Sequence, residues 1–171
     1  MRISVCIPQY NRCAHLLLAL ESIRSQTYGD VEVVVSDDGS TDESGTTIPR
    51  YLEGSGMNYR YIQQPKNLGY DANLRAALAG ATGDYLFILG NDDAIYAPTT
   101  LAEIATHLET HRPDLAIGNV ADARTLEARP RVTKTRATVG SPEVALTMFR
   151  ALSCVTGLIF SRSAFLQQNT P

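Results

Sequence analysis

The chain has 171 residues, of which 44% are hydrophobic and 19% are charged, and its formal net charge is −3. This length is enough to bury a core and is most simply explained by one domain. No basic stripe outweighs the acidic residues, so nothing suggests a nucleic-acid-binding protein, and no apolar stretch is long enough to cross a bilayer. The short apolar segment at the start ends at Pro8 and is unlike a signal peptide, so we expect a cytoplasmic location.

Strand and helix signals alternate along the chain. Apolar runs predict strands at 3–7, 31–35, 57–63, 85–89, 114–119 and 155–161. Helical spacing and end signals predict helices at 11–24, 43–52, 70–81, 98–111 and 141–152. We expect Asn11 to cap the first helix and Asp71 to cap the third, the alternative role of Asp71 being contact with a bound nucleotide. The Arg-rich segment 121–138 fits neither class. This alternation predicts an α/β fold built from βαβ units.

Neither the cysteines nor the histidines form a recognisable zinc site. Cys6, Cys13 and Cys154 lack the spacing of a zinc site or a disulfide framework, so we expect reduced cysteines, with Cys6 buried in a strand. His107 and His111 are spaced i, i+4 on a predicted helix, but a zinc site needs three or four ligands and no third is in evidence. We therefore interpret the two histidines as structural, complementing the dipole at a helix end.

Two acidic pairs follow apolar strands: Asp37-Asp38 after the second and Asp92-Asp93 after the fourth. In open α/β sheets, ligands bind beyond the carboxyl ends of the strands, where the strand order reverses. Carboxylates crowded there repel one another unless a cation offsets their charge. Asp-rich turns follow strands in many proteins, and one pair alone would mean little. Two pairs on matching strands predict a metal and polyol site.

The segment after the first strand, Pro8-Gln9-Tyr10-Asn11-Arg12, contains no glycine-rich phosphate loop. A diphosphate bound at this edge would therefore need Mg²⁺ or Mn²⁺ held by carboxylate oxygens. Tyr10 has an aromatic face on which a flat base can stack. Its alternative role is to fill the space beneath the first helix.

Four segments resemble, in order and approximate spacing, the motifs of family 2 glycosyltransferases: 8–12, 35–42, 67–69 and 90–93. The resemblance is close over 2–96 and looser beyond, and 67–75 with 90–93 resembles abequosyltransferase-like enzymes of bacterial surface polysaccharide synthesis. It implies a GT-A fold, a Rossmann-like and mostly parallel sheet with helices on both faces. It also implies metal-dependent, inverting transfer from a nucleotide-diphosphate sugar to a glycan or lipid-linked acceptor.

The resemblance also implies roles for individual residues. A set that we call the predicted nucleotide-binding set consists of Pro8, Tyr10, Asp38, Asn67, Gly69, Asn73 and Asp92. Within it, Pro8 and Tyr10 line the base pocket, Asp38 accepts a hydrogen bond from the base, and Asp92 meets the ribose. Asp93 ligates the metal, Mn²⁺ or Mg²⁺.

The chain departs from the family pattern at two positions and lacks an obvious general base. Asn91 stands where many members carry a first Asp, which we expect to lower the metal affinity, and Gln9 replaces a commoner small hydroxyl residue. An attacking sugar hydroxyl needs a base, usually a carboxylate. In the family this acid follows a segment that 157–162 resembles, so we expect it beyond Pro171, with Asp122 as the candidate within the sequence.

The resemblance predicts one GT-A domain that continues past the C-terminus. Residues 1–96 would form the nucleotide-sugar-binding half and 97–171 the start of the acceptor-side half. A basic stretch in the second part, which we call the basic stretch, contains Arg124, Arg129, Arg131, Lys134 and Arg136. Such a run is usually a solvated loop, and the alternative is contact with a lipid-linked phosphate acceptor or with an anionic surface at the inner face of the membrane.

Two other functional classes compete with a glycosyltransferase. A sugar-nucleotide-binding module without catalysis stays open, because no general base is identified. A receiver-type signalling domain would need an acid pair after the first strand, where this chain has Pro8-Gln9-Tyr10-Asn11, and is set aside.

Overall fold

The structure is a computed structural model that describes residues 1–121, 125, 128–129 and 156–168. Its strands are β1 (Ile3–Gln9), β2 (Val31–Asp37), β3 (Asn58–Gln63), β4 (Tyr85–Ile88), β5 (Leu115–Ile117), β6 (Val120–Ala121), β7 (Ala128–Arg129) and β8 (Leu158–Ser161). Its helices are α1 (Cys13–Arg24), α2 (Ser44–Ser55), α3 (Tyr70–Gly80), α4 (Thr100–His111) and α5 (Arg162–Gln168). Every predicted element in the described ranges is present, with its ends shifted by a few residues. The predicted helix at 141–152 lies outside those ranges.

The main sheet has six strands in the order β3-β2-β1-β4-β8-β5. β1 pairs in parallel with both β2 and β4, and β2 pairs in parallel with β3, whereas β8 is antiparallel to β4 and β5. The chain first moves outward from β1 through β2 to β3 and then returns to the other side of β1 at β4. The strand order therefore reverses between β1 and β4, which is where ligands bind in such sheets.

Helices cover both faces of this sheet, as predicted. Alternate residues of β1 enter two clusters: Ile3, Val5 and Ile7 pack with apolar residues of α1, α2 and α4, and Cys6 packs with those of α3. A strand buried on both faces has no polar side to alternate with, which explains the continuous apolar runs of β1 and β2. The expected burial of Cys6 is confirmed.

The two predicted helix caps are wrong. No side chain caps α1, whose N-cap residue is Arg12. Asn11 instead adopts a φ of 48°, a left-handed conformation that Asn tolerates, and its Oδ1 accepts a hydrogen bond from Thr41 N at 2.7 Å. A tertiary contact has thus replaced the local cap. α3 begins after Gly69 without a side-chain cap, and Asp71 accepts a hydrogen bond from Arg75 Nε at 2.8 Å.

The rings of His107 and His111 stack with their centroids 6.1 Å apart. Within the described ranges, no three His, Cys, Asp or Glu side chains form a group that could hold a metal. None of the helices in the same ranges combines the length and the apolarity that a membrane crossing requires.

Candidate active site

A cleft of about 370 Å³ opens beside the carboxyl ends of the parallel strands. We call it the switch-point cleft, and it is lined by Pro8, Gln9, Tyr10, Arg12, Asp38, Asn67, Gly69, Tyr70, Asn73, Asn91 and Asp92. All seven residues of the predicted nucleotide-binding set line it, although their roles stay predictions. The structure therefore brings Asp38 and Asp92, from the two acidic pairs, into one cleft.

Asp38 follows β2 directly and is held by the loop between β3 and α3. Its Oδ1 accepts a hydrogen bond from Leu68 N at 2.7 Å, and its Oδ2 accepts one from Gly69 N at 2.9 Å. The residue is only 2% exposed, so the two amides compensate a carboxylate that water scarcely reaches. Each oxygen can accept a further hydrogen bond, because a carboxylate offers about four acceptor sites. Asp38 thus joins two segments that the resemblance assigns to the nucleotide.

Asp37, the other acid of the first pair, does not line the cleft. It is fully buried, and its oxygens accept hydrogen bonds from Tyr61 Oη at 2.6 Å and Ser40 N at 2.9 Å. Burial and the neighbouring Asp37 carboxylate raise the pKa of Tyr61, so its hydroxyl stays a donor. Asp37 is a structural residue that ties β2 to β3.

Asp92 is paired with a residue that the sequence reasoning did not single out. Arg12 Nη1 donates a hydrogen bond to Asp92 Oδ2 at 2.5 Å, and the side chains are 51% and 48% exposed. Arg12 is the one Lys or Arg among the described residues that line the switch-point cleft. In the sequence, Arg12 is the last residue of segment 8–12, which resembles a family motif, but nothing there indicates its partner.

A buried amide network supports the floor of the cleft. Gln9 is fully buried; its Nε2 donates to Ser44 Oγ at 2.8 Å, and its Oε1 accepts from Asn91 Nδ2 at 2.7 Å. Its backbone carbonyl accepts from Asn73 Nδ2 at 3.1 Å and from Asp38 N at 2.9 Å. Gln9 therefore connects β1 to four segments around the cleft, a role that the sequence reasoning missed.

Asp93 lies beside the cleft rather than in its lining. Its Oδ2 accepts a hydrogen bond from Thr156 Oγ1 at 2.7 Å, and that hydroxyl accepts one from Gly90 N at 3.0 Å. A Cβ added to Gly90 would lie 2.5 Å from Asp93 Oδ2, 2.9 Å from Thr156 Oγ1 and 3.2 Å from Asp92 Oδ1. Three oxygens thus crowd around Gly90, and a side chain at this position would displace them.

These oxygens fit a hard divalent cation. Mg²⁺ and Mn²⁺ prefer oxygen ligands, and Mg²⁺ is commonly bound by one or two carboxylates, with waters and substrate phosphates completing the shell. Asp92 and Asp93 supply two carboxylates from one turn, with the Thr156 hydroxyl alongside.

Two tyrosines flank the cleft. Tyr10 is 42% exposed and Tyr70 is 55% exposed, and both line the cleft. Tyr10 therefore does not fill a gap beneath α1, which was the alternative role. Tyr70, at the start of α3, was missed because nothing in its local sequence distinguishes it from a helix-surface residue.

Two predictions fall outside the described ranges. Asp122, the candidate base, is not among the described residues. The basic stretch is also largely outside them, and only the backbone of Arg129 is described, in β7.

The family model for glycosyl transferase family 2 matches residues 4–165. Abequosyltransferase RfbV of Salmonella typhimurium is 38% identical over 112 residues, which is 64% of this chain and 33% of that protein. A PGL/p-HBAD biosynthesis glycosyltransferase of Mycobacterium tuberculosis is 37% identical over 118 residues, 68% of this chain and 46% of that protein. The chain thus spans between a third and a half of these relatives.

Solved structures show the same fold. The crystal structure of S. aureus TarS 1–349 superposes with a TM-score of 0.79 at 25% identity, over 99% of this chain and 49% of that one. Its complex with UDP-GlcNAc gives a TM-score of 0.73 at 27% identity, over 99% of this chain and 47% of that one. The GT-A fold implied by the resemblance is therefore confirmed, and the chain belongs to glycosyl transferase family 2.

Proposed function

We propose that the switch-point cleft binds a nucleoside-diphosphate sugar, whose sugar is transferred to a glycan or lipid-linked acceptor with the help of a divalent cation. The observation that carries this proposal is the convergence of Asp38 and Asp92 in one cleft at the reversal of strand order. Solved structures of TarS with UDP and with UDP-GlcNAc support a nucleotide-sugar donor. A mannosyltransferase of the same fold from Pyrobaculum calidifontis was solved with GDP-Man and Mn²⁺.

In this proposal the nucleoside lies between β1 and the start of α3. Tyr10 stacks on the base, because aromatic faces bind flat bases without reading their edges. Asp38 offers the acceptor capacity that its two backbone hydrogen bonds leave unused, and so binds an N–H of the base. Asn67, Gly69 and Asn73 enclose the nucleoside, and Asp92 meets the ribose through one of its two carboxylate oxygens.

The diphosphate lies towards the turn after β4. Asp93, with Asp92 beside it, would hold Mn²⁺ or Mg²⁺, which when bound stabilises the negative charge that develops on the leaving diphosphate. Thr156 keeps the Asp93 carboxylate in place, and Gly90 leaves room for the oxygens that surround it. This arrangement concentrates charge stabilisation where the sugar–phosphate bond breaks.

The acceptor hydroxyl attacks the anomeric carbon from the side opposite the diphosphate, which inverts the configuration. A carboxylate must take its proton, and we propose Asp122 or an acid beyond residue 171 for this role. Because the base is not identified, a donor-binding module without catalysis is the second candidate. Release of nucleoside diphosphate that depends on an acceptor distinguishes the two.

The similarity to abequosyltransferase RfbV supports bacterial surface polysaccharide synthesis as the setting. We propose that the chain is a single domain with a donor half at 1–96, working in the cytoplasm at the inner face of the membrane. The basic stretch would contact anionic lipid, at about 1 kcal/mol per charge. Charge reversal at Arg131 and Lys134 that left vesicle binding unchanged would contradict this contact.

Calorimetric titration with UDP, CDP, GDP and TDP, with and without Mn²⁺, tests the proposed function. We expect one nucleoside diphosphate to bind selectively and Mn²⁺ to tighten its binding. Asp93→Ala should abolish the tightening, because it removes a cation ligand. Asp30→Ala is the matched control, since Asp30 pairs with Arg2 before the start of β2, at the other end of the sheet. Equal, metal-indifferent binding of all four would refute the assignment.

A further inference from the structure

Arg12 is the one described Lys or Arg that lines the switch-point cleft. Its ion-pair partner, Asp92, is also one of the two acids that we propose as holders of the divalent cation. Arg12 is the N-cap residue of α1, and its carbonyl accepts a hydrogen bond from Leu16 N at 3.0 Å. The helix therefore fixes its backbone, while the half-exposed side chain reaches across the cleft to Asp92 Oδ2. A change of partner by this side chain requires no movement of β1 or α1.

The charges in the cleft favour such a change when a diphosphate binds. The lining includes the carboxylates of Asp38 and Asp92, which repel an anionic ligand, and Arg12 is the one described lining cation that attracts it. The two backbone amides already hold Asp38, whereas Asp92 depends on Arg12. A guanidinium presents donors in a planar fork that matches phosphate oxygens, and charge-assisted bonds of this kind are strong.

The ion pair between Arg12 and Asp92 is also easily broken. Exposed ion pairs contribute little net stability, and both partners here are about half exposed, so breaking the pair costs little. Asp92 Oδ2 cannot serve Arg12 and a divalent cation equally well, because the two cations repel each other. Arg12 and the divalent cation therefore compete for Asp92.

We propose that Arg12 is a phosphate-binding residue that pairs with Asp92 before the donor binds and moves to the diphosphate when the donor and its divalent cation occupy the cleft. This inference rests on the proposed function, because it assumes a diphosphate ligand. Arg12 is then a second source of positive charge for the leaving diphosphate, in addition to the divalent cation. It acts from the side of the cleft that faces the Asp92-Asp93 turn.

The test compares phosphorylated and unphosphorylated ligands of one nucleoside. The ligand is whichever of UDP, CDP, GDP and TDP binds the wild type most tightly. This diphosphate, its monophosphate and its nucleoside are each titrated calorimetrically. Arg12→Gln should weaken diphosphate binding by about ten- to a hundredfold and leave nucleoside binding unchanged, since hydrogen bonds to charged groups are lost. Arg12→Lys should lose less, because the charge remains without the planar fork.

A matched control and a second readout separate this role from a structural one. Arg24→Gln removes an exposed α1 arginine that pairs with Glu21, away from the cleft, and should leave all binding unchanged. Mn²⁺ binding without nucleotide, measured by electron paramagnetic resonance, should be tighter in Arg12→Gln because Asp92 loses its competing partner. Thermal melting of both variants checks their folding.

The outcomes distinguish this inference from the function on which it rests. If the wild type binds no nucleoside diphosphate, the proposed function fails and the inference fails with it. If the wild type binds one and Arg12→Gln binds it equally, only the phosphate role of Arg12 is overturned. Unchanged or weaker Mn²⁺ binding in Arg12→Gln overturns the exchange at Asp92.

Discussion

Gln9 and Asn91 bind each other through their side-chain amides at 2.7 Å. Both are positions where the chain departs from the family pattern, so the two departures form one contact. An Asp at 91 would bring a carboxylate against Gln9 Oε1, so Gln9 would have to turn its amide, and Ser44 Oγ would then donate to Gln9 Oε1 instead of accepting from Gln9 Nε2. The pair therefore stabilises the turn that carries Asp92 and Asp93 by a bond that a family-type Asp could not make in the same arrangement.

Replacing Gln9 by Met keeps the side-chain size and removes both of its side-chain hydrogen bonds. We expect Gln9→Met to lower the free energy of unfolding by about 1–3 kcal/mol, because Asn91 Nδ2 loses its buried partner. It should also weaken nucleoside-diphosphate binding severalfold, because the turn after β4 loses its support. Denaturant unfolding and calorimetry measure the two effects.

Gln26→Met is the control for this variant. Gln26 also makes several hydrogen bonds, to Ser22 O, Ala97 O and Leu101 N, but it does not line the switch-point cleft. It should lose stability without losing nucleotide affinity. Equal loss of affinity in the two variants would mean that Gln9 acts only through global stability.

Sequence reasoning at the residue scale found the acids of the site better than their partners. All seven residues of the predicted nucleotide-binding set line the cleft, because the resemblance depends on motifs that keep their order and spacing along the chain. The resemblance assigned Asp38 and not Asp37 to the nucleotide, and of the two only Asp38 lines the cleft, because successive side chains of a strand point to opposite faces. Sequence reasoning missed Arg12, because an ion pair between residues 80 positions apart has no local signal.

At the scale of helices, strands and loops, two loops together form one wall of the cleft. The segment after β2 begins with Asp38-Gly39, and Gly39 has a φ of 67°. A Cβ on Gly39 would lie 2.7 Å from the carbonyl carbon of Lys66, in the loop that leads to α3. The backbones of the two loops therefore pack directly on each other. The hydrogen bonds that Leu68 N and Gly69 N donate to the Asp38 carboxylate hold the same two loops together.

Gly39→Ala should separate these loops. The added methyl group collides with rigid backbone, and the left-handed conformation alone costs an alanine about 1–2 kcal/mol. We expect the free energy of unfolding to fall by more than that amount and nucleoside-diphosphate affinity to fall with it. Denaturant unfolding and the titration described above test both effects.

Gly54→Ala provides a control of opposite sign. Gly54 lies within α2, and an added Cβ would meet nothing within 4 Å. This substitution should raise stability by about 0.5–1 kcal/mol and leave nucleotide binding unchanged. A Gly39→Ala protein as stable as Gly54→Ala would show that the two loops are not packed as described.

Element positions could be predicted from apolar periodicity, whereas the two caps could not. A capping residue competes with every other partner that the folded chain brings near it. Asn11 bonds to Thr41, and Asp71 bonds to Arg75. Thr41 lies in a different loop, so the local sequence around Asn11 contains no sign of this partner.

At the scale of the whole molecule, the acids at the two ends of the sheet have different surroundings, since Glu32 is buried and Asp92 and Asp93 are exposed. Glu32, near the start of β2, accepts hydrogen bonds from Ser4 Oγ at 2.5 Å, Thr82 N at 2.8 Å and Thr82 Oγ1 at 3.0 Å. Burial alone would raise the pKa of Glu32, but these hydrogen bonds outweigh it and lower the pKa below its usual value. This acid is satisfied by the protein, whereas Asp92 and Asp93 lie where a ligand can reach them.

Sheet topology could be predicted only in part. Continuous apolar runs indicated parallel strands covered on both faces, and β1, β2 and β4 agree, whereas β3 is a parallel edge strand whose residues are largely exposed. The insertion of β8 between β4 and β5, antiparallel to both, was not predicted, because pairing between distant segments leaves no periodic signal. That insertion matters for the site, since Thr156, just before β8, contacts Asp93.

The central claim is that one cleft at the carboxyl ends of β1, β2 and β4 binds a nucleoside diphosphate together with a divalent cation. Paramagnetic broadening of backbone amide signals by Mn²⁺, in the presence of the selected nucleoside diphosphate, tests it most directly. Broadening should begin at Gly90–Asp93 and Thr156 and extend to Leu68 and Gly69, with Glu32 and Thr82 unaffected. Broadening that is uniform, or that begins at the Glu32 end of the sheet, would contradict the claim.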